Sequence, residues 1–246
     1  MSAGRTVLVT GGTRGIGLAI VQRCLRDGWN VAFTWRADEP RARLLERELG
    51  ANLAPGRVRA YPLDLADDAA VQALPAQVAG DFGGLDALVN NAGLTDDGAF
   101  LTLARDRWQR VLGTNFRGTA TLSLACLPLL QRAPAAALVI VASLAGIAGK
   151  EGQVAYATSK GALVGLTKWL GRQHGASGLR VNAVAPGFVR TDMVAGLEPA
   201  MYEHILQGTA LHRMGEPAEV ADAVAFLLEG GYLQATTLRV DGGFLR

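Results

Sequence analysis

The 246 residues are half hydrophobic and 19% charged, with 24 basic side chains against 22 acidic ones and a formal net charge of +2. This composition fits a globular chain with a well-filled interior and excludes a disordered or fibrous polymer. The near-neutral balance, without runs of like charge, argues against nucleic acid as a partner. Apolar stretches are interrupted by Arg, Gly or Pro before they reach the length of a membrane span. A strand-like run begins at Thr6 with no charged region and apolar core ahead of it, so a soluble cytoplasmic protein with no membrane partner is expected. Cys24 and Cys126 sit in apolar, helix-like stretches without metal or redox spacing and read as buried free thiols; no metal is expected.

In chain order, short apolar runs at 7–10, 29–34, 58–61, 87–90, 138–142, 181–185 and 237–240 read as strands. Helix-length segments at 17–26, 40–49, 69–78, 108–131, 154–173 and 217–228 lie between them. Strands apolar on both faces and joined by helices imply a parallel sheet covered on each side. The expected fold is therefore α/β: one doubly wound Rossmann domain over 1–246 with a seven-stranded parallel sheet. Residues 190–214 break the alternation and are expected to form a small helical lid over the substrate. Its apolar set is Met193, Leu197, Met201, Tyr202, Ile205 and Leu206, for which plain packing against the sheet is the alternative.

The first strand runs straight into Thr10-Gly-Gly-Thr-Arg-Gly-Ile-Gly17. Gly11, Gly15 and Gly17 let the backbone turn tightly and approach a pyrophosphate, with Thr13 and Ile16 in the same turn and a helix N-terminus facing the phosphates. NAD-preferring folds place a carboxylate at the end of the second strand, but here that end reads Thr34-Trp35-Arg36. Arg14 and Arg36 can together clasp a 2′-phosphate, so NADP(H) is the expected cofactor.

Tyr156 and Lys160 are four residues apart on a helix-like segment and project from one face, where both can act on one ligand. With TGGTRGIG, Asn90-Asn91-Ala92-Gly93, Asn115, Ser143, Tyr156-Ala-Thr-Ser-Lys160 and Pro186-Gly187 in order, the chain resembles the short-chain dehydrogenase/reductases from end to end. Within them it looks most like the 3-oxoacyl-carrier-protein reductases. The resemblance implies that Tyr156 is the general acid that protonates a ketone oxygen while a nicotinamide delivers hydride to the carbon. Lys160 would hold the nicotinamide ribose and favour the phenolate, since an unperturbed phenol titrates near 10. Ser143 would bind the substrate oxygen, and Asn115 would keep a water beside Lys160. Matched by motif position, Asn91, Ala92 and Gly93 pass the ribose and nicotinamide, Val189 contacts the carboxamide, and Pro186, Gly187 and Thr191 are further cofactor-binding positions. Asp64 and Leu65 would meet the adenine, although Asp64 equally suits a helix cap.

The expected activity is NADPH-dependent reduction of a 3-oxoacyl thioester, with free small ketones as the alternative and a catalytically idle nucleotide-binding scaffold as the reading from another class. An acyl carrier protein is an expected partner. Where such reductases carry carrier-binding arginines this chain has Pro134 and Ser177, with Arg132, Lys168 and Arg172 as substitutes. The usual Thr-Gly pair before the last strand is replaced by Tyr232-Leu-Gln-Ala-Thr-Thr237. Surplus apolar residues in 108–131 and 154–173 point to a homo-oligomer, most simply a tetramer.

Overall fold

The computed structural model describes residues 4–52, 57–192, 196 and 198–244. Met193 and Leu197 of the expected lid lie outside the described residues. The described strands form a seven-stranded, all-parallel sheet. They are β1 (Thr6–Val9), β2 (Asn30–Trp35), β3 (Val58–Pro62), β4 (Ala87–Asn90), β5 (Ala137–Val141), β6 (Arg180–Pro186) and β7 (Thr237–Val240). Their spatial order, β3-β2-β1-β4-β5-β6-β7, reverses direction between β1 and β4, and a crevice opens at the carboxyl ends of the strands where that happens.

Alternation along the strands divides the interior into two layers. Val7 and Val9 pack with Ile20, Leu45 and Val224 on one face. That layer is covered by α1 (Gly15–Arg26), α2 (Glu39–Asn52) and α9 (Pro217–Glu229). Leu8 joins Leu74, Leu122 and Leu163 on the other face, covered by α3 (Asp68–Phe82), α5 (Thr119–Leu130) and α7 (Val154–His174). Both cysteines are buried and free, and burial pushes each thiol up to about 12, which keeps them unreactive.

The segment 108–131, expected as one helix, is divided. It runs as α4 (Arg105–Leu112), a π-helical stretch Gly113–Gly118 and α5. A π stretch inserts a residue into the hydrogen-bond ladder and often marks a functional site. Asn115 lies inside it, fully buried. A short helix, α6 (Leu144–Ala148), follows β5, and α8 (Pro199–Gly208) forms part of the expected lid.

Side chains finish the β3 edge of the sheet and the turn that leads into β7. At the β3 edge, Ala60 N donates to Glu46 Oε1 at 3.2 Å and Arg43 Nη1 donates to Ala60 O at 3.2 Å, so the outer strand does not present a bare ladder. On the β7 side, Gln234 rebuilds the altered turn: its amide donates to Gly171 O at 2.8 Å and Leu179 O at 3.0 Å and accepts from Val181 N at 2.7 Å. Arg180 fastens the C-terminal end of α9 by donating to Leu227 O, Leu228 O and Gly230 O at 2.7–2.9 Å. No described helix is long and apolar enough to cross a membrane, and no group of metal-ligating side chains occurs among the described residues.

Candidate active site

The crevice is assembled from the loops after β1, β4 and β5. Thr10 is buried at the end of β1, and its hydroxyl accepts from Asn91 N and Ala92 N, both at 2.9 Å. Asn91 returns the contact: Nδ2 donates to Thr10 O at 2.9 Å and Gly11 O at 3.2 Å. From β2, Thr34 Oγ1 accepts from Gly11 N at 3.1 Å. These bonds close the start of the glycine turn on its neighbours. Gly17 has no room for a side chain, because a Cβ there would stand 2.0 Å from Gly11 O and 2.5 Å from Asn91 Nδ2.

Helix α1 starts at Gly15 with Arg14 at its N-cap, and no side chain caps it. The first-turn amides of Gly15, Ile16 and Gly17 therefore face the crevice as free donors, which fits a pyrophosphate. Thr13 lies partly exposed in the turn, and Thr191 lies over it, its Cγ2 3.3 Å from where a Gly15 Cβ would stand. The side chains of Arg14 and Arg36 are exposed and form no hydrogen bond or ion pair with another described residue. Arg36 follows the pairing of Trp35 with Pro62, and Leu63 N donates to Trp35 O at 2.8 Å, so Arg36 and Asp64 leave adjacent strand ends. Asp64 is not the helix cap. Asp67 caps α3 by accepting from Ala69 N and Ala70 N, while Asp64 makes a local turn with Ala66 N at 2.9 Å. Leu65 is buried beneath it.

Across the crevice, Tyr156 and Lys160 occupy successive turns of α7, with Lys160 Nζ 5.7 Å from the Tyr156 ring centre. Lys160 is almost fully buried and donates to Val141 O at 2.7 Å. Asn115 binds the loop after β4 through both amide atoms: Oδ1 accepts from Leu94 N at 2.8 Å and Nδ2 donates to Leu94 O at 2.9 Å. Nδ2 also donates to Ser159 Oγ at 3.0 Å, and Ser159 in turn donates to Tyr156 O at 2.7 Å. Gly93 brings the set together, since a Cβ on it would lie 3.2 Å from Asn115 Oδ1 and 3.5 Å from Lys160 Nζ.

Ser143 caps α6, its hydroxyl accepting from Ala145 N at 3.1 Å, and the same hydroxyl favours ionisation of the Tyr156 phenol. That placement needs α6 to lie hard against α7. The contact is Gly146, where a Cβ would be 2.5 Å from the backbone carbon of Lys160. Burial raises the Tyr156 phenol above its ordinary value, the Ser143 hydrogen bond pulls it down and the Asp97 carboxylate pushes it up. Burial lowers Lys160 to about 8, so it remains largely cationic at neutral pH.

Beyond β6, Gly187 N donates to Val240 O at 3.0 Å, and Val189 is buried and bridged to Gly215. Pro186, Gly187, Val189 and Thr191 thus stand on the strand edge that continues the crevice. In α8, Ile205 is buried whereas Met201 is exposed, so the helix turns only part of its apolar set inward. Thr10, Thr34, Ser159, Asp97 and Gln153 also belong to the site, and motif position did not single them out. Clues existed for Thr10, which opens the glycine turn, and for Ser159, which lies between Tyr156 and Lys160 in the Tyr156-Ala-Thr-Ser-Lys160 motif, but the others act through partners distant in sequence.

A family model described as enoyl-(acyl carrier protein) reductase matches residues 11–245. The chain is 34% identical over 245 residues to a 3-oxoacyl-(acyl-carrier-protein) reductase of Staphylococcus aureus strain Mu50, a match that covers 99% of both. It is 35% identical over 242 residues to the protein of the same name from Salmonella typhimurium strain LT2, covering 98% of this chain and 97% of that one. The Staphylococcus epidermidis counterpart, strain ATCC 35984, is 32% identical over 241 residues.

Proposed function

Because the chain belongs to the short-chain dehydrogenase/reductase family and is an oxidoreductase that works with a nicotinamide dinucleotide, we propose that it reduces a 3-oxoacyl thioester to the 3-hydroxy product with NADPH. The convergence of Ser143, Tyr156, Lys160 and Asn115 at one end of the sheet carries this reading. When bound, the cofactor supplies a hydride to the carbonyl carbon. Ser143 and Tyr156 bind the carbonyl oxygen, and Tyr156 gives its hydroxyl proton to that oxygen as negative charge develops on it. The cationic Lys160 lowers the energy of the resulting phenolate, and Asn115 and Ser159 keep the turn of α7 in place while the proton is replaced from solvent.

The phosphorylated cofactor is favoured by the free guanidiniums of Arg14, in the glycine turn, and Arg36, which follows the strand end where NAD-preferring folds carry a carboxylate. Gly11, Thr13, Gly15, Ile16, Gly17, Asp64, Leu65, Asn91, Ala92, Gly93, Pro186, Gly187, Val189 and Thr191 complete the cofactor cradle, and 190–214 serves as the lid. Relatives named for carrier-bound substrates support an acyl carrier protein as partner. Arg132, Lys168 and Arg172 are exposed at the ends of α5 and α7 and offer an acidic carrier a basic surface. Pro134 and Ser177 favour a free thioester or ketone as the second reading. Leu124 and Trp169 are more than half exposed on α5 and α7, which supports a homo-oligomer built on those helices.

Following NADPH and NADH oxidation with an acetoacetyl thioester, a carrier-bound acyl chain and a cyclic ketone tests this. Faster turnover of the thioester with NADPH is expected. Reduction of the cyclic ketone alone would transfer the function to free ketones, and no turnover with any carbonyl would favour an idle scaffold.

A further inference from the structure

The loop after β4 does more than pass the crevice. Asp96 is held by both Arg107 and Arg110 of α4, and Arg107 also donates to Asp97 O at 3.0 Å. The next residue, Gly98, donates its N–H to Gly152 O at 2.8 Å and bridges to Gln153. Gln153 is the residue before α7, and its Nε2 donates to Asp97 Oδ2 at 2.8 Å. A carboxylate anchored on one wall thus grips the N-terminal end of the helix that carries Tyr156 three residues later.

We propose that Asp97 is a positioning residue for Tyr156, acting through Gln153 on the start of α7. The inference rests on Tyr156 being the proton donor. The other charged groups around that ring are occupied or remote: Lys150 lies over the Phe188 ring at 4.8 Å, Glu151 is exposed, and Arg107 is committed to Asp96 and Asp97. Lys160, on α7 itself, is bonded to Val141 O. Asp97 is therefore the anion that opposes ionisation of the phenol, while Ser143 favours it.

Asp97→Asn separates this contact from the charge, because the new amide oxygen still accepts from Gln153 while the charge is gone. In alcohol oxidation Tyr156 must be ionised to take the proton, so the limb of activity that rises with pH should move to lower pH in Asp97→Asn. Asp97→Ala should also lose turnover, by roughly tenfold for a released positioning contact of about 1.4 kcal/mol, and Asp97→Glu should restore part of it. An NMR titration of ring-labelled tyrosine in the cofactor-free protein, with the Tyr156 signal assigned from its absence in Tyr156→Phe, should show the same downward movement. Turnover by a folded Asp97→Ala protein equal to that of the wild type would overturn the inference. Near-normal turnover by Tyr156→Phe would instead remove the reading on which it rests, so the two failures are distinct.

Discussion

Arginines stand on both rims of the crevice and are used in opposite ways. On the proposed cofactor rim the side chains of Arg14 and Arg36 are exposed and without partners among the described residues. On the substrate rim Arg107 and Arg110 both grip Asp96, whose carboxyl they hold below the usual range. The first pair is available to an anion that arrives from solution, whereas the second is committed to holding a loop. A similar division separates the buried polar groups. The cofactor side uses neutral groups, Thr10, Thr34 and Asn91, each satisfied by backbone. The opposite side buries a charge, Lys160, whose one hydrogen bond among the described residues is to the Val141 carbonyl. On the proposed function the first side fits a cofactor and the second reacts, at a cost in stability.

The comparison breaks most visibly at Gly17. Gly17→Ala would drive a methyl to within 2.0 Å of the backbone oxygen of Gly11 and 2.5 Å of the Asn91 amide nitrogen, which is itself bonded to that turn. The loss should exceed the ~1–3 kcal/mol of ordinary overpacking and abolish cofactor binding. Urea unfolding and fluorescence titration with NADPH measure both. Gly80→Ala in α3, with nothing within 4 Å, should instead gain about 0.5–1 kcal/mol.

Lys160→Met tests the buried charge. The folded chain releases this proton near 8 and the unfolded chain near the ordinary lysine value of 10.5, so between them the unfolded state holds more protons. Stability of the wild type must then rise with pH through that window, and the charge costs stability below it. Removing it should raise Tm at neutral pH, by a pH-dependent part on the order of 3 kcal/mol, offset by loss of the bond to Val141 O. The advantage should shrink towards the upper end of the window, and activity should be lost throughout. A Tm difference independent of pH would mean Lys160 is not penalised by burial.

Arg36→Asp sharpens the contrast between the rims. Losing one charge-assisted contact costs about 1.5–3 kcal/mol, roughly ten- to hundredfold in NADPH affinity, while the new carboxylate can accept from a ribose hydroxyl. Dissociation constants for NADPH and NADH at one ionic strength should converge or invert. An unchanged ratio would leave Arg14 and Thr13 to recognise the phosphate.

Local pattern carried most of the fold into the sequence, because apolar strands and a glycine turn are written over neighbouring residues. All seven strands were legible to within about one residue at most ends, as was the single face shared by Tyr156 and Lys160. The break at Gly113–Gly118 was not, since one extra residue in a helix ladder leaves the apolar period almost unchanged. Nor was the clamp of Gln153 by Asp97, a contact across 56 positions that no local spacing encodes. Gln234 replaces a familiar turn with side-chain bonds to Gly171, Leu179 and Val181, and its environment became visible only once α7 and β6 were placed around it. The choice between cap and adenine contact at Asp64 likewise needed coordinates, which give the cap to Asp67.

The most direct measurement is single-turnover reduction of an acetoacetyl thioester by Tyr156→Phe beside the wild type, with NADPH affinity measured on both. The ring and its packing are kept and only the proton donor goes, so turnover should fall by about 10²–10⁴-fold while the dissociation constant stays within a few-fold. Turnover close to that of the wild type would contradict the assignment of Tyr156 as the acid that completes the reduction.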